Sequence, residues 1–342
     1  MSDLTTHSEP LPAASSPAKS TWKRWLVRLL KIVVLGAVVV LLVREVQHQI
    51  ANDEWRQVKL RPLYLILSGL STLCAFVCLM TSQRMILRAF TKRLVPWRVM
   101  VPLAWVPLAG KYVPGKVAAV GTAVVLMRRV SIPVGAALSS FVMLDALPVL
   151  SGTVLGSFVL WDPAVTDRLP WAPAAGVAAM IGGLICLSPP VFGRLMTFGL
   201  RLLRRPPLDH VPTLRDYLGP SVVTMVLWVF HSLAVWMACL AVLPAGDGPA
   251  LADFGRIVAI TGLALVMSYF AAVLSPAGFG VREGVFVVLL STMIPPAAAV
   301  AASISLRVVG LIIEAILFVI GLLMMRTLTP DSAGLAAEPV RT

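Results

Sequence analysis

The apolar sequence is interrupted twice, by Lys111-Tyr112-Val113-Pro114-Gly115-Lys116 and by Ser275-Pro276-Ala277-Gly278-Phe279-Gly280-Val281-Arg282-Glu283-Gly284. Both segments combine helix-breaking residues with charge, and apolar arms flank both. A charged side chain at the centre of a membrane helix costs about 2.5–3.5 kcal/mol on insertion scales. Irregular backbone at that depth is tolerated only where protein or a water-filled cavity satisfies it. The two segments therefore decide the fold, and they are the first candidates for a functional site.

The composition predicts a membrane protein with several spans. Of the 342 residues, 58% are hydrophobic and 13% are charged, whereas a soluble domain carries about 25% charged residues. The formal net charge of +13 is spread over the loops between apolar stretches and is not gathered in one patch. We interpret it as a signal of membrane orientation and expect no nucleic-acid partner. The expected fold class is all-α and polytopic, and the expected partners are membrane lipids.

Six apolar stretches are long enough to cross a membrane as helices, which takes about 20 residues. They are 25–43, 62–82, 134–160, 171–190, 219–243 and 296–324. We expect a disordered cytoplasmic N-terminus at 1–24, a membrane domain at 25–325 and a cytoplasmic tail at 326–342. The first stretch is predicted to be a retained signal anchor, because no small-residue cleavage pattern follows it.

Residues 99–127 hold the first interruption between two arms of about 11–12 residues, each too short to cross a membrane alone. A re-entrant hairpin is predicted, and two thin or tilted helices or one distorted span also fit the length. The second interruption lies in a corresponding hairpin at 261–292. The predicted fold thus has about six full spans and two re-entrant hairpins, or about seven to eight spans if the hairpins are counted.

Positive charge predicts cytoplasmic termini. With the N-terminus inside, the cytoplasmic segments are 1–24, 83–98, 128–133, 191–218 and 325–342, and the outside segments are 44–61, 161–170, 244–260 and 293–295. The cytoplasmic segments carry 17 Lys and Arg residues and the outside segments carry 6, which is the bias expected of cytoplasmic loops. It requires 99–127 to return to the side from which it entered, and this favours the hairpin. We expect the protein in a bacterial inner membrane.

A weak internal repeat appears at a shift of 162 residues. The shift carries Pro114 onto Pro276, Ile132-Pro133 onto Ile294-Pro295, and Ala136-Ala137 onto Ala298-Ala299. It divides the membrane domain into repeat one, about 25–160, and repeat two, about 171–325. The first hairpin opens to the basic side and the second to an uncharged side, so the repeat is predicted to be inverted. Transporters of this plan bind substrate at the repeat interface, next to broken helices.

Seven ionisable side chains are expected well inside the membrane: Lys111, Lys116, Asp145, Arg282, Glu283, Arg307 and Glu314. Asp145 and Arg307 are equivalent under the shift. Arg307, Gly310 and Glu314 share one helical face, where the glycine would let another backbone or a lipid head group approach closely.

The four cations among these residues are candidate ligands for an anionic head group such as phosphate, because Arg binds phosphate bidentately and Lys binds it as a point charge. They are Lys111, Lys116, Arg282 and Arg307, with Glu283, Asp145 and Glu314 as counter-charges. Five residues would break the hairpins and free backbone N–H donors: Pro114, Gly115, Pro276, Gly278 and Gly280. The alternative is that the charges are buried pairs that hold the two repeats together, Arg282 with Asp145 and Arg307 with Glu283 or Glu314.

Other functional classes find little support in the sequence. No catalytic cluster, cofactor motif or metal-ligand spacing is visible, so we expect no cofactor, no metal and no enzyme activity. His231 lies in an apolar stretch and is interpreted as a packed residue in preference to a proton relay.

Both interruptions resemble motifs of the lysylphosphatidylglycerol synthase transmembrane-region family, also called flippase-like domain proteins. Gly110 to Lys116 is similar to a GKYxPGK-type motif, and Pro276 to Gly284 is similar to a PGGxGxREG-type motif with Ala277 in place of a glycine. Arg307 matches a later helix arginine of the family. The resemblance covers nearly all of 25–325 and implies a membrane protein that handles lipids.

Two departures from the family pattern stand out. The family commonly has a Glu-Arg pair and a following Asp in the span after the first motif, whereas this chain has Met143-Leu144-Asp145, without the arginine. Some relatives carry a soluble C-terminal aminoacyl-transferase domain, and we expect none here.

The sequence favours a transporter-like protein that moves an anionic phospholipid or lipid-linked intermediate. The alternatives are an accessory membrane subunit of a lipid or cell-envelope synthase, or a membrane-embedded transferase.

Overall fold

A computed structural model describes residues 58–112, 117–167, 169–188, 190–191, 193–194, 197, 214–272, 278 and 280–325. These residues form α-helices and short 3₁₀ segments, with no strand among them, so the all-α prediction is confirmed. The predicted N-terminus, the stretch 25–43 and the C-terminal tail lie outside the described residues. So do Pro114, Gly115, Lys116 and Pro276 of the two motifs.

The first half contains two long helices with a hairpin between them. Helix α1 is Pro62–Thr91, and helix α4 is Val134–Ser157, continued by a 3₁₀ turn at Phe158–Trp161. The first hairpin consists of α2 (Trp97–Trp105), a 3₁₀ segment (Val106–Tyr112) and α3 (Val117–Arg129). A short helix, α5 (Pro163–Thr166), and α6 (Ala172–Leu187) follow.

The second half has the same order. Helix α7 is Leu214–Val242, and helix α10 is Pro296–Met325. The second hairpin consists of α8 (Phe254–Ala271), which a 3₁₀ turn at Leu251–Asp253 precedes, and α9 (Val281–Leu290). A shift of 162 residues carries Val134, the first residue of α4, onto Pro296, the first residue of α10.

Proline sets several helix starts, because its fixed φ and missing N–H suit the first turn. Pro62 begins α1, Pro163 begins α5 and Pro296 begins α10. Pro148 instead lies inside α4, where it removes a backbone hydrogen bond. Buried hydroxyls bond to carbonyls of the apolar helices, and Ser68 of α1 donates to Ala234 O of α7 at 2.9 Å.

Five helical segments of the described chain are long and apolar enough to cross a membrane: Pro62–Thr91, Val134–Trp161, Arg215–Val242, Leu251–Ala271 and Pro296–Met325. Four of them match predicted spans. The predicted span at 171–190 appears as α6, whose 16 residues extend about 24 Å.

Two helices extend into segments predicted to lie outside the membrane. Within the predicted outside segment 244–260, the helical chain resumes at Leu251, and α8 by itself has the length of a span. Helix α1 continues to Thr91, within the predicted cytoplasmic segment 83–98. Ile86, Leu87 and Phe90 pack into the core in these last turns, so burial against protein extends the helix beyond the apolar run.

The two halves pack with a reciprocal pattern. Helix α1 runs along its counterpart α7. The first hairpin packs on α10 of the other half through α2, and the second hairpin packs on α4 of the other half through α8. This exchange of hairpins is the arrangement expected of two related units, and each hairpin lies in its own hydrophobic cluster.

Glycine marks the point where each hairpin folds back on itself. A Cβ atom at Gly110 would overlap the backbone of Ala119, so the end of the 3₁₀ segment lies directly against α3. A Cβ atom at Gly278 would overlap Ser268 of α8. Gly278 and Gly280 have φ values of +67° and +85°, which L side chains rarely adopt. The predicted breaker role of these two glycines has a direct basis in their backbone conformation.

Polar contacts at the ends of the helix bundle join segments that were predicted to lie on the same side of the membrane. Lys92 Nζ lies 3.4 Å from Asp216 Oδ2, between two segments predicted to be cytoplasmic. Arg256 pairs with Asp162 at 2.5 Å and donates to Thr292 Oγ1 at 2.9 Å. This arginine ties the start of α8, the turn after α9 and the loop after α4 together.

Candidate functional site

A cavity of about 230 Å³ lies between the two halves. Both hairpins line it, together with α1, α4, α7 and α10. Its polar and ionisable side chains are Gln83, Lys111, Asp145, His231, Ser268, Tyr269, Arg282, Arg307 and Glu314, and its walls are otherwise apolar and aromatic. Small-molecule pockets measure about 300–1,000 Å³, so this volume suits a head group better than a whole lipid.

The cavity gathers most of the charges that the sequence places inside the membrane. Lys111, Asp145, Arg282, Arg307 and Glu314 line it, and Glu283 pairs with two of its arginines. Asp145 and Arg307, which the 162-residue shift relates, face the same space from α4 and α10. Lys116 lies outside the described residues.

Glu314 of α10 holds the end of the first hairpin. Lys111 Nζ lies 2.5 Å from Glu314 Oε1, and the Tyr112 hydroxyl donates to Glu314 Oε2, also at 2.5 Å. Both carboxylate oxygens therefore bind side chains of the 3₁₀ segment. The side chains of Lys111 and Glu314 are 27% and 15% exposed, so the pair is shielded within the protein without being sealed off.

Glu283 lies between two arginines. Its Oε1 atom is 3.4 Å from Arg282 Nε and 3.7 Å from Arg307 Nη1. Its Oε2 atom accepts a hydrogen bond from Gly280 N–H at 2.8 Å, so the carboxylate also caps the first turn of α9. Two cations therefore lie beside one buried carboxylate.

The alternative hypothesis of structural ion pairs agrees in part with the contacts observed. Arg307 pairs with Glu283, as that hypothesis allowed, and Arg282 pairs with the adjacent Glu283. Asp145 lies within electrostatic reach of Tyr269 on α8. The pairs therefore hold the second hairpin to α10 and at the same time border the cavity.

The structure brings in polar residues that the sequence analysis did not single out. Tyr112 lies within the first motif, next to Lys111. Gln83 is buried at 3% exposure and lines the cavity, but it follows directly on the predicted span end at residue 82. A polar amide within the continued apolar pattern of α1 was the signal that would have found it. Ser268 and Tyr269 lie on α8, inside the predicted hairpin 261–292.

Space remains beside the helical face that carries Arg307, Gly310 and Glu314. No heavy atom lies within 4 Å of the position that a Cβ atom at Gly310 would take, beyond its own helix and chain neighbours. No backbone of another described element therefore closes over this glycine. His231 lines the cavity with its ring centroid 6.4 Å from that of Trp228.

No group of three or more His, Cys, Asp or Glu side chains within the described part of the chain is arranged to hold a metal ion. Because three of its lining side chains are cations, the cavity suits an anion better than a metal ion.

The chain was compared with known protein families and with curated proteins. A sequence profile described as Lysylphosphatidylglycerol synthase TM region matches residues 28–317, which include both hairpins and the whole cavity. No curated protein matches the chain. Because the match covers most of the 342 residues, the chain belongs to the lysylphosphatidylglycerol synthase transmembrane-region family and is an integral membrane protein related to lipid modification or transport.

Proposed function

We propose that the protein moves an anionic phospholipid or lipid-linked intermediate between the leaflets of the bacterial inner membrane. The observation that supports this most is the meeting of Lys111, Arg282 and Arg307 in one cavity built by both halves. In this proposal the protein is a carrier and not an enzyme, and both termini are cytoplasmic.

The chemistry of the cavity fits a phosphate-containing head group. Arg282 and Arg307 lie on α9 and α10 and would bind phosphate oxygens through planar guanidinium groups, while Lys111 would act as a point charge from the first hairpin. Apolar and aromatic side chains such as Phe76, Trp105 and Phe141 line the rest of the cavity, and they can accept the glycerol backbone and upper acyl chain.

The reciprocal packing of the hairpins suggests how access alternates. Each hairpin borders the cavity and packs on a long helix of the other half. In an inverted repeat the two hairpins open to opposite sides of the membrane. Movement of one hairpin at a time would expose the cations first to one leaflet and then to the other.

A transport assay tests the role of the arginines. The full chain is reconstituted into phosphatidylcholine liposomes with a trace of phosphatidylglycerol that carries a fluorophore on one acyl chain, and a membrane-impermeant quencher reports lipid that reaches the outer leaflet. A hydrogen bond to a charged group contributes about 1.5–3 kcal/mol, so Arg282→Ala or Arg307→Ala should weaken head-group binding about 10- to 100-fold. At lipid concentrations below saturation, transport should fall in proportion.

Arg129→Ala is the matched control, because Arg129 is an exposed arginine at the end of α3 and away from the cavity. It should transport lipid as the parent does. Gel filtration and thermal unfolding of each variant verify that the fold is intact. Equal transport by the parent and both cavity variants would contradict the site, and no transport by the parent would contradict the proposed function.

A further inference from the structure

Glu314 binds the two side chains of the first hairpin that an anionic ligand would need. Its two oxygens take the Lys111 ammonium group and the Tyr112 hydroxyl. A phosphate group presents the same kind of acceptor pair to the same two donors. Glu314 and Lys111 both line the cavity that holds Arg282 and Arg307, so a head group that reaches the arginines also reaches this carboxylate.

The cations of the cavity already lie beside carboxylates. The described cavity and its immediate pairs contain three cations, Lys111, Arg282 and Arg307, and three carboxylates, Asp145, Glu283 and Glu314. Lys111 pairs with Glu314, and both arginines lie beside Glu283. An anionic ligand that binds these cations must compete with a carboxylate, so one of the internal carboxylates gives up a cation when the ligand enters.

Glu314 is the carboxylate best placed to do so. Glu283 is only 7% exposed and is fixed to its own helix by the Gly280 N–H. Asp145 belongs to α4, on which the second hairpin packs. Glu314, in contrast, pairs with two side chains of the 3₁₀ segment Val106–Tyr112, so a shift of that segment releases it.

The second hairpin meets no carboxylate at the equivalent position of α4. The 162-residue shift places Gly152 opposite Glu314, and a Cβ atom at Gly152 would lie 2.5 Å from the Trp228 ring. Nearby, a Cβ atom at Gly262 would lie 2.9 Å from the backbone of Gly152 and Gly156. The second hairpin is thus held on α4 by close glycine packing, which an ion does not displace. The first hairpin is held on α10 by a contact that an anion can displace.

We infer that Glu314 is an internal substitute for the anionic head group: the ligand displaces its carboxylate from Lys111 and Tyr112 and so frees the first hairpin from α10. The inference rests on the proposed function and names the residue that couples binding to movement.

Disulfide cross-linking between the first hairpin and α10 tests this. A Cβ atom at Gly321 would lie 3.1 Å from Val106 Cγ2, so Val106→Cys with Gly321→Cys forms a reporter pair in a chain whose four native cysteines are replaced. The protein is placed in phosphatidylcholine nanodiscs and oxidised with or without dihexanoyl phosphatidylglycerol. The lipid should slow cross-linking severalfold, and Glu314→Gln should slow it without lipid. Tyr112→Phe, which keeps every charge, should slow it to a smaller extent.

The pair Leu160→Cys with Gly176→Cys is the control, because it joins α4 to α6 through a contact of 3.3 Å away from both hairpins. Its cross-linking should not respond to lipid. Binding of the same lipid to the parent is measured in parallel by thermal shift. If the lipid binds but leaves the Val106–Gly321 pair unchanged, Glu314 is not displaced and the inference is wrong while the function stands. If the parent does not bind the lipid, the proposed function fails.

Discussion

Glu283 pairs with two arginines and caps the first turn of its own helix. Its removal would leave Arg282 and Arg307 close together without their shared carboxylate, and would leave the Gly280 N–H without its acceptor. Glu283 therefore has a structural role as well as an electrostatic one, because the two arginines must be held in place before a ligand binds them.

Glu283→Ala should therefore destabilise the protein by about 3–5 kcal/mol, the cost of breaking a buried ion pair on one side. Glu283→Gln should cost less, because its amide oxygen can still accept from Gly280 N–H. Unfolding in detergent, followed by intrinsic tryptophan fluorescence, measures both variants. Equal midpoints for the parent and the alanine variant would show that the carboxylate does not hold the arginines.

At the residue scale, the charges inside apolar stretches were visible in the sequence, and so was a pairing of Arg307 with Glu283, but the pairing of Lys111 with Glu314 was not. Lys111, Asp145, Arg282 and Arg307 were identifiable because charge is rare in apolar stretches. The pairing of Lys111 with Glu314 depends on the angle at which the first hairpin meets α10. That angle follows from side-chain packing over both halves and leaves no local pattern.

Among the elements, the contact between α4 and α8 is unusually close. A Cβ atom at Gly156 would lie 2.7 Å from the backbone nitrogen of Leu263, and one at Gly262 would lie 2.9 Å from the carbonyl oxygen of Gly152. Small residues let helix backbones approach in this way within membranes. The second hairpin therefore packs backbone to backbone on α4 through α8.

Gly156→Ala should destabilise the protein by about 1–3 kcal/mol, because the added methyl group forces the backbones apart. Gly182→Ala on α6 is the matched control, since nothing lies within 4 Å of its added atom. The control should be neutral or more stable by up to about 1 kcal/mol through helix propensity. Thermal unfolding in the same detergent compares the two, and an equal response would mean that the α4–α8 contact adjusts freely.

The ends of the helices show where an apolar stretch no longer predicts the helix boundary. Helices α4 and α10 were predicted closely, because apolar residues extend to both of their ends. Helix α1 extends past its apolar run, because its last turns pack on protein. The start of α8 was hidden because Asp253 and Arg256 give the sequence of a loop, although Arg256 is satisfied by Asp162 at the end of the bundle.

For the whole molecule, contacts at the two ends of the bundle join segments that charge assigned to the same side. Lys92 meets Asp216 at one end, and Arg256 meets Asp162 at the other. The grouping agrees with the predicted topology, and the excess of basic residues predicts that the Lys92 end faces the cytoplasm.

Cysteine labelling in intact cells tests this orientation. In a chain without native cysteines, Asp247→Cys, in the exposed loop between α7 and α8, should react with a membrane-impermeant maleimide. Arg129→Cys, exposed at the end of α3, should react only after the cells are permeabilised. The reverse pattern would invert the topology.

Asp145 and Arg307 occupy equivalent positions and face one cavity. A symmetric dimer made of a single half would place the same residue at both positions, and two like charges in about 230 Å³ would repel each other. A chain in which both halves are covalently joined escapes this constraint, since each copy can change independently. Opposite charges at these two equivalent positions thus require halves that differ in sequence. They give the cavity a direction that a true two-fold axis would forbid.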